Sequence, residues 1–109
     1  MNQVTTRNNA RVYCGMPGRI EGPGGPIRGV VRNLSRGGTF FLAGQLLPVG
    51  QQFELRIDLP GIAPIKAMGE VRYHYRYAEG EGMGIRFVRM AGDDLGFVSQ
   101  FVNARIGNA

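Results

Sequence analysis

Two segments of the chain alternate apolar and polar residues with a period of two. Phe53, Leu55, Ile57 and Leu59 are separated by Glu54, Arg56 and Asp58, and Val71, Tyr73, Tyr75 and Tyr77 by Arg72, His74 and Arg76. Successive side chains of a β-strand point to opposite faces, so each segment reads as a strand with one buried and one wet face. These strands are expected over Phe53–Leu59 and Ala67–Tyr77, with the tyrosine stripe forming core and keeping its phenolic rims at the edge.

Eighteen glycines and six prolines are scattered between the remaining short apolar runs, a distribution that suits many tight turns joining many strands. A first strand is expected at Val12–Met16, followed by another stretch around Arg19–Glu21 that runs into the loop Gly22-Pro23-Gly24-Gly25-Pro26. Ile27–Arg32, a glycine-ended turn over Asn33–Gly38, and Thr39–Leu42 come next. A turn over Glu79–Gly82 then leads into a last strand, Met83–Val88. Gly92-Asp93-Asp94 opens a helix whose acidic residues suit the positive end of the dipole, and Leu95, Val98, Phe101, Val102 and Ile106 recur at helical spacing. About six strands and one closing helix cannot make a βαβ sheet. Closing the sheet into a small barrel removes its edges, and the helix is left to cover one opening or one face.

A chain of 109 residues, 43% hydrophobic, fits one domain without disulfides or metals. Residues 1–10, MNQVTTRNNA, are polar and aperiodic and read as a flexible arm able to order on binding; residues 11–109 read as the domain. Cys14 has no partner for a disulfide and reads as buried and inert, and no spacing of metal ligands is visible. No basic-then-apolar leader and no apolar run of membrane-spanning length occur, which leads us to expect a cytoplasmic protein without membrane insertion. The formal charge is +5, and Lys66 is the only lysine among thirteen basic residues. Arginine's planar fork binds phosphate bidentately, reads guanine edges and stacks on bases, whereas lysine is a point charge.

Asn33-Leu34-Ser35-Arg36-Gly37-Gly38 has the form Asn-x-Ser-x-x-Gly between two expected strands. Upstream, Arg7-Asn8-Asn9-Ala10-Arg11 has the form Arg-x-x-x-Arg where the polar arm enters the first strand. In this order these segments resemble the two signature motifs of the PilZ domain family, and Gly82-Met83-Gly84-Ile85-Arg86-Phe87 resembles that family's last strand. The resemblance runs from Arg7 to about Ile106. It implies an all-β fold, a six-stranded antiparallel barrel with a C-terminal α-helix, that binds cyclic di-GMP as ligand with no cofactor. The chain has Asn33 where many relatives carry Asp, and Thr6 rather than a further arginine before Arg7. Three more pairs share the arginine spacing, Arg28 with Arg32, Arg32 with Arg36 and Arg72 with Arg76. They lie mainly in or beside expected strands, with both side chains on one solvated face.

Cyclic di-GMP presents two guanines and two phosphates in one compact anion. Arg7 and Arg11 are the candidates for pairing with phosphate, donating to guanine O6 and N7, or lying on the base. Guanine's N1–H and amino group seek acceptors, and Asn33 and Ser35 fit that need. Gly37 and Gly38 would give the turn positive φ and bring backbone close to a flat base. The expected site is therefore Arg7, Arg11, Asn33, Ser35 and Gly38, with an arm that orders over the ligand and so signals to an unidentified protein partner. A nucleotide-independent adaptor for motility, pilus or secretion machinery is the alternative. A third reading, a single-strand nucleic-acid binder using the tyrosine stripe, is disfavoured. Enzyme chemistry is not expected: His74 has no acidic or nucleophilic partner, and Asp58, Glu70, Asp93 and Asp94 show no paired arrangement.

Overall fold

The computed structural model describes residues 10–107. Within them six strands run β1 (Val12–Gly22), β2 (Gly25–Leu34), β3 (Gly38–Leu42), β4 (Gln52–Ile57), β5 (Ile65–Tyr77) and β6 (Gly80–Met90), and a helix, α1, covers Gly92–Gly107. The strands close into a barrel in the order β1-β2-β3-β6-β5-β4, every neighbouring pair antiparallel, with β4 returning to β1. This is the all-β barrel with a C-terminal helix that the alternating segments and the family resemblance lead one to expect.

Alternation fills the interior. Ile20, Val31, Leu34, Phe41, Leu55, Ile57, Ile65, Val71, Met83 and Ile85 face inward and are almost wholly removed from water. Each such side chain contributes about 1.5–3 kcal/mol relative to exposure. Val98 and Val102 of α1 join the same apolar cluster, so the helix closes an opening of the barrel and packs beside β1. Asp93 and Asp94 stand in its first turn and Arg105 in its last, each matching the dipole. Leu95, the first of the apolar residues at helical spacing, is exposed. Cys14 is buried, as expected, and its thiol donates to the Val31 carbonyl at 3.2 Å. Burial pushes that thiol upward from its ordinary pKa, which keeps it protonated. Among the described residues no helix is long and apolar enough to cross a membrane.

The differences from the sequence expectation lie at turns and bulges. The stretches Val12–Met16 and Arg19–Glu21 are one strand, irregular where Tyr13 pairs with Asn33 but Met16 with Val31. Gly15 absorbs the extra residue at φ +64°, a conformation that costs glycine little. The β5–β6 hairpin turns at Ala78-Glu79, because Tyr77 already pairs with Gly80, so Gly80–Gly82 belong to the strand and not to a turn. β4 ends at Ile57, with Leu59 buried beyond it.

The tyrosine stripe is not core. Phe40 sits beside inward-facing Phe41 but on the outer wall. It is wholly covered there by Tyr73 and Tyr77, whose ring centroids lie 6.1 and 4.9 Å away. Tyr75 packs edge-on against Tyr77 at 4.8 Å, and the Arg32 guanidinium lies 3.7 Å over the Tyr77 ring. Tyr73 and Tyr75 are themselves 44% and 56% exposed. His74 lies at the same end of β5, with Nε2 2.7 Å from the Leu47 carbonyl; a carbonyl only accepts, so this nitrogen donates and ties down the β3–β4 loop.

Candidate functional site

The turn between β2 and β3 is built by its own polar side chains. Ser35 N–H donates to the Gly38 carbonyl at 2.9 Å, and Ser35 Oγ accepts from the N–H groups of Gly37 and Gly38 at 3.2 and 3.1 Å. The same hydroxyl donates to the Gly38 carbonyl at 3.2 Å, so its hydrogen-bonding capacity is spent locally. Thr39 Oγ1 donates to the Asn33 carbonyl at 2.6 Å and closes the turn from its far side.

Positive φ is not what the turn takes from its glycines. In the described chain the positive-φ glycines are Gly15, Gly25, Gly50, Gly61 and Gly80, and neither Gly37 nor Gly38 is among them. Gly38 is required for close approach: a Cβ there would run into the Ile85 carbonyl of β6. The turn is thereby pressed against the strand that forms the other side of the site.

Asn33 faces the start of β1. Its Oδ1 accepts from Arg11 Nη1 at 2.9 Å and from the Phe40 N–H at 3.1 Å, so both lone pairs are in use. What Asn33 retains for a further partner is its amide N–H. Arg11, one step before β1, is thus aimed by the turn across 22 residues of sequence. Arg7 lies outside the described residues.

These groups border a cavity of about 500 Å3 lined by Arg11, Ser35, Gly37, Arg72, Tyr73, Gly84, Ile85, Arg86 and Phe87. Sites for small molecules commonly occupy roughly 300–1,000 Å3. One wall is the motif turn with Arg11; the other is β5–β6. Arg86 pairs with its cross-strand partner Glu70 at 2.9 Å. Arg72 has no ion-pair partner among the described residues, although the sequence pattern placed it on a solvated strand face. The structure therefore brings Arg11, Asn33, Ser35 and Gly38 together, and adds Arg72, Tyr73 and Arg86, which the motifs do not contain. A smaller concavity of about 160 Å3 elsewhere on the barrel is lined by Arg19, Arg28, Arg56 and Asp58 among others.

The PilZ domain family model matches residues 5–104. No curated protein sequence matches the chain. Among solved structures, the Bacillus subtilis inhibitor of motility (MotI/DgrA) is similar with a TM-score of 0.83 at 23% identity over 92% of this chain and 51% of that one. YcgR of Escherichia coli in complex with cyclic di-GMP is similar with a TM-score of 0.74 at 12% identity over 88% of this chain and 44% of that one. The PilZ domain of the same E. coli protein with cyclic di-GMP gives 0.75 at 10% identity over 92% and 91%. At these identities the likeness is one of fold. The chain spans about half the length of the first two proteins.

Proposed function

The chain belongs to the PilZ domain family, and on that premise we propose that it is a cyclic di-GMP receptor that relays the level of the second messenger to a protein partner. The observation that carries this reading is the Arg11–Asn33 hydrogen bond, which joins the two motifs at the edge of an arginine-lined cavity of nucleotide size. The YcgR structures similar in fold hold this ligand.

In this reading Arg11 meets phosphate or the O6/N7 edge of a guanine, and Arg7 supplies a second guanidinium from residues 1–10 as they order over the ligand. Asn33 aims Arg11 and offers its amide N–H to a guanine acceptor, because its own acceptor is taken. Ser35 and Gly38 hold the wall that the ligand rests on. Ordering of the arm changes the surface a partner sees, and no catalytic step is involved. The whole acts in the cytoplasm.

Isothermal titration with cyclic di-GMP, with GTP and a guanine-free oligonucleotide as controls, tests this. Saturable binding of cyclic di-GMP alone is expected, with Arg11→Ala weakening it roughly ten- to a hundredfold, the worth of a hydrogen bond to a charged group. Absence of heat would turn the reading to a nucleotide-independent adaptor of motility, pilus or secretion machinery. Tight, steeply salt-dependent binding of the oligonucleotide would point to nucleic acid instead.

A further inference from the structure

Arg72 and Tyr73 reach the β5–β6 wall of the cavity through one of the two irregularities in that pairing. Val71 pairs with Ile85 and Tyr73 with Gly84, so Arg72 is an extra residue in β5. In a regular strand Tyr73 would follow Val71 into the barrel. Val71 is instead wholly buried while Tyr73 is 44% exposed, and both Arg72 and Tyr73 line the cavity. Bulges of this kind re-aim side chains, and they concentrate beside functional sites.

The ring that the bulge turns outward is also held in place. Gly84, its cross-strand partner, has no side chain, and a Cβ there would fall on the ring of Tyr73. The phenol therefore lies against bare backbone on one side, with Phe40 beside it at an interplanar angle of 31°. It borders the cavity alongside Arg11, Arg72 and Arg86. Of these guanidinium groups, Arg86 is paired with Glu70 and Arg11 donates to the neutral Asn33 amide, so Arg11 and Arg72 both lack a carboxylate partner among the described residues, and Arg72 lacks a hydrogen-bond partner there as well. A pre-positioned π surface flanked by guanidinium groups suits a flat, anionic ligand: the ring stacks on a base and the cations meet phosphate or the O6/N7 edge of guanine.

We infer that Tyr73 is the stacking platform for one guanine of the ligand and that Arg72 is the cation for the phosphate or base edge beside it. The assignment rests on the cyclic di-GMP reading above. It adds ligand contacts from β5, outside both sequence motifs.

Titration of the full chain with cyclic di-GMP separates the two claims. Tyr73→Leu is expected to weaken binding about 5- to 150-fold, the range for loss of one base–aromatic stack. Tyr73→Phe keeps the ring and should stay within about threefold of the unsubstituted chain. Arg72→Gln should weaken binding about tenfold and flatten its salt dependence. Gly84→Ala leaves the tyrosine in the sequence but displaces its ring, and should weaken binding as well. Thermal melts check that each variant is folded. In the unsubstituted chain, the Tyr73 ring protons should shift upfield on ligand addition, a readout that needs no variant. Wild-type binding by Tyr73→Leu and Arg72→Gln, with binding lost in Arg11→Ala, would overturn this assignment and leave the receptor reading standing. No binding by the unsubstituted chain would overturn both.

Discussion

The two halves of β5 carry the same sequence rhythm and behave oppositely. From Ile65 to Val71 every second residue is buried and the residues between reach water, as period two requires. From Arg72 to Tyr77 none is buried, although aromatic and polar residues go on alternating. The first half is held in unbroken register against β4, whereas the second lies beyond the Arg72 bulge and pairs with the glycines of β6. A barrel wall thus passes within one strand from core-making to surface-making, and the cavity sits at the point of change. The outer half packs on Phe40 and ends in the hairpin at Ala78-Glu79 instead of reaching the interior.

Substitutions on either side of the bulge should separate stability from binding. Ile65→Ala, in the core-making half, is expected to cost about 2–5 kcal/mol in denaturant unfolding through the cavity it leaves. Molecules that remain folded should bind cyclic di-GMP as before, since Ile65 lies away from the lining of the cavity. Tyr75→Ala, in the surface-making half, removes an edge contact with Tyr77 and should cost only about 0.5–1.5 kcal/mol. A loss as large as that of Ile65→Ala would erase the contrast between the halves.

The smallest effect is expected at the hairpin tip. Glu79 pairs with Arg32 at 2.8 Å; a hydrogen bond from its own backbone N–H, then the Arg32 contact, hold its carboxyl below the usual carboxylate range. A carboxylate with a lowered folded pKa stabilises when ionised. Its contribution is present above the unfolded carboxylate pKa and fades as pH falls through the lowered folded value. Glu79→Gln should therefore unfold slightly more easily than the parent at neutral pH and equally in strong acid, as thermal melts at the two pH values would show. A difference that grows in acid would contradict the sign.

Strand count, barrel closure and the closing helix were legible because they arise from alternation and helical spacing, which burial enforces all along the chain. The motif turn is legible for a different reason: the Asn33 and Ser35 side chains bond backbone groups of the turn and of the strand that follows it. Sequence could not reveal the bulges, because an added residue switches the face of every later residue in the strand without changing its pattern. Tyr73 consequently read as core and Arg72 as a solvated strand residue, and both line the cavity. The opposed Gly84 carried the missing signal, since a bare position across from an aromatic is where a ring can lie on the sheet. Sequence does not reveal the role of Gly38 for a related reason: it answers to the Ile85 carbonyl of β6, far away in sequence, and not to its own φ.

Amide chemical-shift mapping of the chain during titration with cyclic di-GMP tests the central claim most directly. Saturable shifts are expected on both walls at once, at Arg11 and Ser35–Gly38 on one side and at Arg72, Tyr73 and Gly84–Arg86 on the other, while Ile65–Gly69 stays unmoved. Shifts confined to the Arg19, Arg28 and Arg56 concavity, or none at saturating ligand, would contradict it.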